Sequence, residues 1–229
     1  MIKLAFTGQA CAGKTTAVEA IYKEGSGLCN NIKFAQPLYD CLEIFDQPKQ
    51  RVPMQLLSEW AKSNFGRDIF VKIFNQRAEM YQTYKMVPPK YLLNDDCRFI
   101  MEAEYLKNNG WKLVYIEADE AVRKERSDDL GLEWSPEHES ETEIPQVKEL
   151  CDFVITNNGD LSVFHGEVLD IVKSLDDKAT SSVRDLISRL RGYNEWRLGG
   201  PGPQPDTTLI TKDIEVAISI IEKYLEESG

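Results

Sequence analysis

Lys14 and Thr15 close the stretch Gly8-Gln9-Ala10-Cys11-Ala12-Gly13-Lys14-Thr15, which fits the pattern GxxxxGK(S/T) without a mismatch. Residue types in this order suit a phosphate chain. The glycines let the backbone turn tightly and aim N–H groups at an anion, the lysine reaches the β- and γ-phosphates, and the hydroxyl holds Mg²⁺. The expected cradle is Gly8, Ala10, Ala12, Gly13, Lys14, Thr15 and Thr16, with ATP and Mg²⁺ as its ligands and Thr15 on the metal. Cys11 lies inside the loop, as a small filler or as a point where oxidation would block nucleotide.

Further along, Asp95 and Asp96 end an apolar run and Arg98 follows them, at the strand edge where α/β sheets bind ligands. Arg98 is a candidate contact to the exchanging phosphates or an ion-pair partner of Asp95 or Glu102. Either aspartate can hold Mg²⁺ or its water, or cap the next helix. Arg123 and Arg126 share one helix face, as clamps on ATP and the moving phosphoryl group or as a solvated salt-bridge face with Glu120, Glu125 and Asp128. Arg51 and Arg67 are the acceptor-side candidates, because guanidinium recognises phosphate bidentately; surface charge is the alternative. Phe34, Pro37 and Trp60 read as apolar walls for a base or as core. The chain has two histidines, neither beside an evident nucleophile, so a Ser/His/Asp mechanism has no support.

The elements that must position these groups follow from periodicity. Residues 1–7 alternate as a strand, and Ala17, Val18, Ile21 and Tyr22 share a helix face. Residues 32–35 read as a second strand, followed by helices from Leu38, to about Ala61 and from Ile69, the last ended by Pro88 and Pro89. Buried strands are expected at 91–96, 112–117 and 152–157, with helices at 99–108, 119–128 and 163–172. The acidic stretch 129–143, holding His138, reads as a lid loop. This alternation predicts a parallel, three-layer α/β sheet. Beyond residue 175 two short amphipathic helices are expected, at 183–190 and 214–225, joined by the Gly/Pro run at 199–205. They need a partner surface: each other, the main body or a second subunit, as in a homodimer.

With 229 residues and 42% apolar content, one main core and a small appendage are expected. No apolar run reaches membrane-spanning length, and the five scattered cysteines suggest neither a disulfide framework nor a zinc site, so a cytoplasmic protein is expected. The net charge of −11 argues against duplex DNA as a partner, although a local cationic cleft can still hold a small phosphorylated metabolite.

Five segments in order resemble the deoxynucleoside monophosphate kinases encoded by bacteriophages. They are the loop itself, Phe34-Ala35-Gln36-Pro37-Leu38 (FAxPL), Asp96-Cys97-Arg98-Phe99 with Glu102 (DxRFxxE), His138-Glu139-Ser140-Glu141 (HxSE) and Ile155-Thr156-Asn157-Asn158-Gly159 (IxNxG), covering about residues 1–175. The chain has Gln36 and Tyr39 where FADPLK is common, and Ile100-Met101 where Pro-Asn is usual, departures that bear on substrate identity. The resemblance implies a three-layer P-loop kinase fold, an acceptor region at about 34–90, a lid at about 119–143 and transfer from ATP to a deoxynucleoside monophosphate. It favours Asp96 over Asp95 as the motif aspartate. Such an acceptor is already an anionic oxygen and needs no general base, so positioning and charge neutralisation dominate. Two other functions fit a P-loop: phosphorylation of a hydroxymethylated pyrimidine in DNA, and an ATP-sensing scaffold.

Overall fold

The computed structural model describes residues 1–24, 29–48, 51–83, 89–132, 134, 139–198 and 206–228. His138, the residue expected to order the lid, and the Gly/Pro run at 199–205 lie outside these, as does the side chain of Arg51.

Five parallel strands form one sheet in the order β2-β3-β1-β4-β5 among the described residues. They are β1 (Ile2–Thr7), β2 (Cys29–Asn31), β3 (Tyr91–Cys97), β4 (Lys112–Glu117) and β5 (Phe153–Thr156). Helix α1 (Lys14–Glu24) leaves β1, the central strand, and α2 (Gln36–Ile44), α3 (Arg51–Phe65) and α4 (Ile69–Thr83) separate β2 from β3. Helix α5 (Ile100–Asn108) precedes β4, and α6 (Glu120–Asp129), α7 (Glu139–Thr142) and α8 (Ile144–Glu149) precede β5. The chain ends in α9 (Leu161–Arg197) and α10 (Thr207–Ser228).

Parallel strands buried on both faces read as apolar runs, and β1, β3 and β4 follow that rule. Ala5, Leu92 and Leu113 join one core cluster with Phe74 and Ala78 of α4, Ala103 and Leu106 of α5 and Val147 of α8. By strand alternation Leu4, Phe6, Leu93, Val114 and Ile116, all fully buried, point to the other layer. Burying a side chain such as Phe6 is worth about 2 kcal/mol, so these strands are the most costly place to disturb. In the first layer Phe34 stacks on Phe74, ring centroids 4.1 Å apart, and Trp111 closes the group at 5.5 Å.

Two expectations about elements are corrected. Residues 32–35 are the loop into α2, because the amides of Phe34 and Ala35 are bound by the Asp96 carboxylate instead of a neighbouring strand; the ladder is made by Cys29–Asn31. The helices expected at 163–172 and 183–190 are one continuous α9 of 37 residues. Nothing between them breaks a helix: residues 173–182 hold neither glycine nor proline.

Packing divides the chain into two units, one within residues 1–84 and 89–170, the other within residues 171–229. In the second, Arg189 of α9 grips Asp213 of α10 bidentately, at 2.7 and 2.9 Å. No helix among the described residues is long and apolar enough to cross a membrane.

Candidate active site

The loop from Gly8 to Gly13 joins the end of β1 to the first turn of α1, at the carboxyl edge of the sheet where the strand order reverses. Its two glycines are required by geometry. Gly8 has φ +144° and a side-chain carbon there would lie 2.5 Å from Ile116 O; Gly13 has φ +107° and would put its carbon 2.3 Å from Asn157 Nδ2. Cys11 holds φ +60° between them. The first-turn N–H groups of α1, at Lys14, Thr15 and Thr16, have no intrahelical acceptor and suit an anion.

Ala12 is buried, and its carbonyl accepts from Asn157 Nδ2 at 2.8 Å. Arg126 completes this brace: its guanidinium donates to Asn157 O at 2.9 Å, Asn157 Oδ1 at 3.2 Å and Cys11 O at 3.4 Å. Arg126 therefore lies against the loop. Arg123, three residues earlier, does not accompany it. It is 4% exposed, donates from Nε to Ala118 O and lies over the Trp134 ring at 5.3 Å. The structure thus places Arg123, expected as a phosphate clamp, in packing at the base of α6.

Lys14 Nζ donates to Gly8 O at 2.6 Å and Gln9 O at 2.9 Å, curling over the loop. Burial, followed by the Arg98 charge, lowers its pKa to about 7 against the opposing pull of Glu141, Asp95 and Cys11. Arg98 NH1 binds Glu141 Oε1 at 2.7 Å, and Glu141 Oε2 accepts the Ala10 amide at 2.8 Å. Glu102 instead accepts the backbone amides of Arg98 and Phe99, securing the start of α5. Burial, reinforced by the Asp96 charge, pushes its pKa up to about 8.

The two aspartates divide their work. Asp95 Oδ2 accepts the Thr15 hydroxyl at 3.0 Å, and its carboxylate also takes Asn31 Nδ2 at 2.9 Å and Lys33 Nζ at 2.9 Å. Burial would lower the pKa of Lys33, but the Asp95 charge and hydrogen bond raise it. Asp96 accepts Phe34 N at 3.0 Å, Ala35 N at 2.9 Å and Asn94 Nδ2 at 2.6 Å. Burial raises its pKa while those amides hold it down. The oxygens of Asp96, an expected metal ligand, are engaged by the loop into α2, and Asp95 is the carboxylate beside Thr15. Two hard oxygens, Thr15 Oγ1 and Asp95 Oδ2, make a donor set that fits Mg²⁺. No group of three or more His, Cys, Asp or Glu residues suited to a metal occurs among the described residues.

Among the residues expected to face an acceptor, Phe34 is 3% exposed and stacked in the core, which agrees with the core alternative. Pro37 opens α2, where a missing N–H costs nothing. Arg51 is the first residue of α3, and Arg67 is exposed in the turn before α4. Trp60 is exposed and meets Phe65 edge-on at 5.4 Å. Gln36, one of the unusual residues, donates to Asp40, which also binds Arg77.

Glu141, Asn157 and Lys33 are the site residues that sequence reasoning did not single out. Glu141 and Asn157 stood inside the HxSE and IxNxG segments, which was the available signal; Lys33 had none.

Strand order and the P-loop after the central strand together define a three-layer α/β fold of the P-loop type. No protein-family model matches the chain, and no curated protein sequence matches it. Among solved structures it is similar to a gluconokinase from Sinorhizobium meliloti 1021 (13% identity, TM-score 0.48, 79% of this chain and 97% of that one). It is also similar to a shikimate kinase from Acinetobacter baumannii in complex with shikimate (14%, TM-score 0.46, 76% and 94%). A shikimate kinase from Aquifex aeolicus is comparable (14%, TM-score 0.45, 78% and 99%).

Proposed function

We propose that the chain transfers the terminal phosphoryl group of ATP to the phosphate of a deoxynucleoside 5′-monophosphate. The observation that carries the transfer is the bond from Thr15 to Asp95 at 3.0 Å, beside a loop on which Lys14 and Arg126 converge. Thr15 and Asp95 would hold Mg²⁺, which supplies charge neutralisation on the phosphate chain.

Lys14 would exchange the Gly8 and Gln9 carbonyls for phosphate oxygens, and Arg126 would keep the loop braced through Asn157. Arg98 stands just past the end of β3 and would meet the acceptor's phosphate. The nature of that acceptor is supported by the five-segment resemblance to phage deoxynucleoside monophosphate kinases, with Arg51 and Arg67 as candidate phosphate ligands. A phosphate acceptor is anionic at neutral pH, so the reaction needs orientation and charge more than proton abstraction.

The test is direct: purified chain with ATP and Mg²⁺ is given each deoxynucleoside monophosphate in turn, and the diphosphates are measured. Diphosphate formation from one or more of them is expected, and its loss in Lys14→Ala. Phosphate from labelled ATP appearing in hydroxymethylated DNA, with no free diphosphate, would replace this reading.

A further inference from the structure

The carboxylate of Glu141 sits where an anion would be expected. One oxygen takes the Ala10 amide of the phosphate loop at 2.8 Å and the other takes the Arg98 guanidinium at 2.7 Å. The side chain is 2% exposed, and it is carried on α7 immediately before Glu143, whose carboxylate holds the Ile100 amide at 2.9 Å. A buried carboxylate needs such partners, and a backbone N–H paired with a guanidinium is also what two oxygens of a phosphate group take.

We propose that Glu141 is an internal competitor for the phosphate site: it occupies the Ala10 amide and Arg98 and must withdraw when a nucleotide's phosphates bind. The single N–H of Ala10 cannot serve two anions at hydrogen-bond distance, and the low local dielectric magnifies the repulsion between a carboxylate and a phosphate brought together there. Withdrawal would hand Arg98 to the incoming phosphate and release α7 from the loop. Occupancy of the loop would thus be coupled to the position of residues 139–142. This rests on the reading of Gly8–Thr15 as a triphosphate loop.

The apparent affinity of a site filled by its own competitor is reduced by the fraction of chains in which it stands open, and removing the competitor restores it. ADP binding to the full chain, measured by calorimetry, should be about three- to tenfold tighter in Glu141→Gln and Glu141→Ala than in the wild type. Equal or weaker affinity in folded variants would overturn the proposal, since a residue that only positions Arg98 would weaken binding when lost. A second measurement needs no variant. Amide hydrogen exchange in residues 139–142 of the wild type should quicken when ADP is added, and slowing or no change would count against withdrawal. A wild-type chain that binds neither ADP nor tripolyphosphate would overturn the triphosphate reading as well. Tight wild-type binding indifferent to Glu141 would overturn this inference alone.

Discussion

The hydroxyl of Thr15 donates to Asp95 Oδ2 at 3.0 Å, joining the first turn of α1 to a strand 80 residues away in sequence. The next residue, Asp96, makes no such contact and holds the amides of Phe34 and Ala35. The two carboxylates should therefore fail differently. Asp95→Asn is expected to raise the Mg²⁺ concentration for half-maximal turnover about 10- to 100-fold with a modest change in melting temperature. Asp96→Asn is expected to cost about 1–3 kcal/mol of stability, because one oxygen cannot serve every donor. Magnesium titrations and denaturant melts on both variants would show reversed roles if the assignment is wrong.

Gly8 and Gly13 differ in what opposes a side chain. At Gly8 the obstacle is the backbone carbonyl of Ile116, which cannot move without β4; at Gly13 it is the Asn157 amide, a side chain. Gly8→Ala should therefore prevent folding or loosen the sheet. Gly13→Ala should be partly relieved by Asn157→Ala, with a coupling of about 0.5–3 kcal/mol in a double-mutant cycle. Additive effects would mean that the positive φ alone, and not the contact, makes glycine necessary.

Arg123 and Arg126 share a helix face yet meet different partners. Loss of Arg123, buried against Ala118 O and Trp134, should appear as about 1–3 kcal/mol of lost stability. Loss of Arg126 should instead lower turnover by roughly 100-fold, through a loop no longer held to Asn157. Stability curves and steady-state rates separate the two, and an Arg126→Ala enzyme with unchanged rates would remove that residue from the mechanism.

Glu102 predicts a pH dependence of folding. Its carboxyl, at 4.5 in the unfolded chain, is pushed up to about 8 by burial and by Asp96, with the Arg98 and Phe99 amides and the Arg98 charge opposing. Between those values the folded chain keeps a proton that the unfolded chain has lost, so this group's contribution is full below pH 4.5 and is lost as pH rises toward 8. Glu102→Gln should match the wild type near pH 5 and exceed it by about 2–4 kcal/mol near pH 8.5. Urea midpoints at the two pH values would expose an error as a constant difference.

Much of the frame is legible in the sequence because glycine placement and apolar runs are local signals. The strand–turn–helix around Gly8–Thr15, and the strands at 91–96 and 112–117, follow from them. What is not legible is which side chains meet. Arg98 and Glu141 are 43 residues apart, and nothing periodic links them. Asp95 and Asp96 look equivalent until the fold shows that Asp95 reaches α1 and the Lys33 side chain, and Asp96 the backbone amides of the loop into α2. The apolar Ile32-Lys33-Phe34-Ala35 imitates a strand because it is buried, although its amides are bound by a carboxylate.

The adjacency of those two aspartates has a geometric consequence. Ala5 of β1 pairs with Asn94 and Thr7 with Cys97, so β3 carries one extra residue across this step and the two carboxylates sit in a bulge. The offset between the P-loop helix and the start of α2 is thus fixed by a single residue step of β3, not by the length of any loop. Lengthening a surface connection would leave that offset intact, whereas sliding β3 by one position would exchange the two carboxylates and unseat both elements together. The strand acts as a ruler whose smallest division separates the two halves of the site.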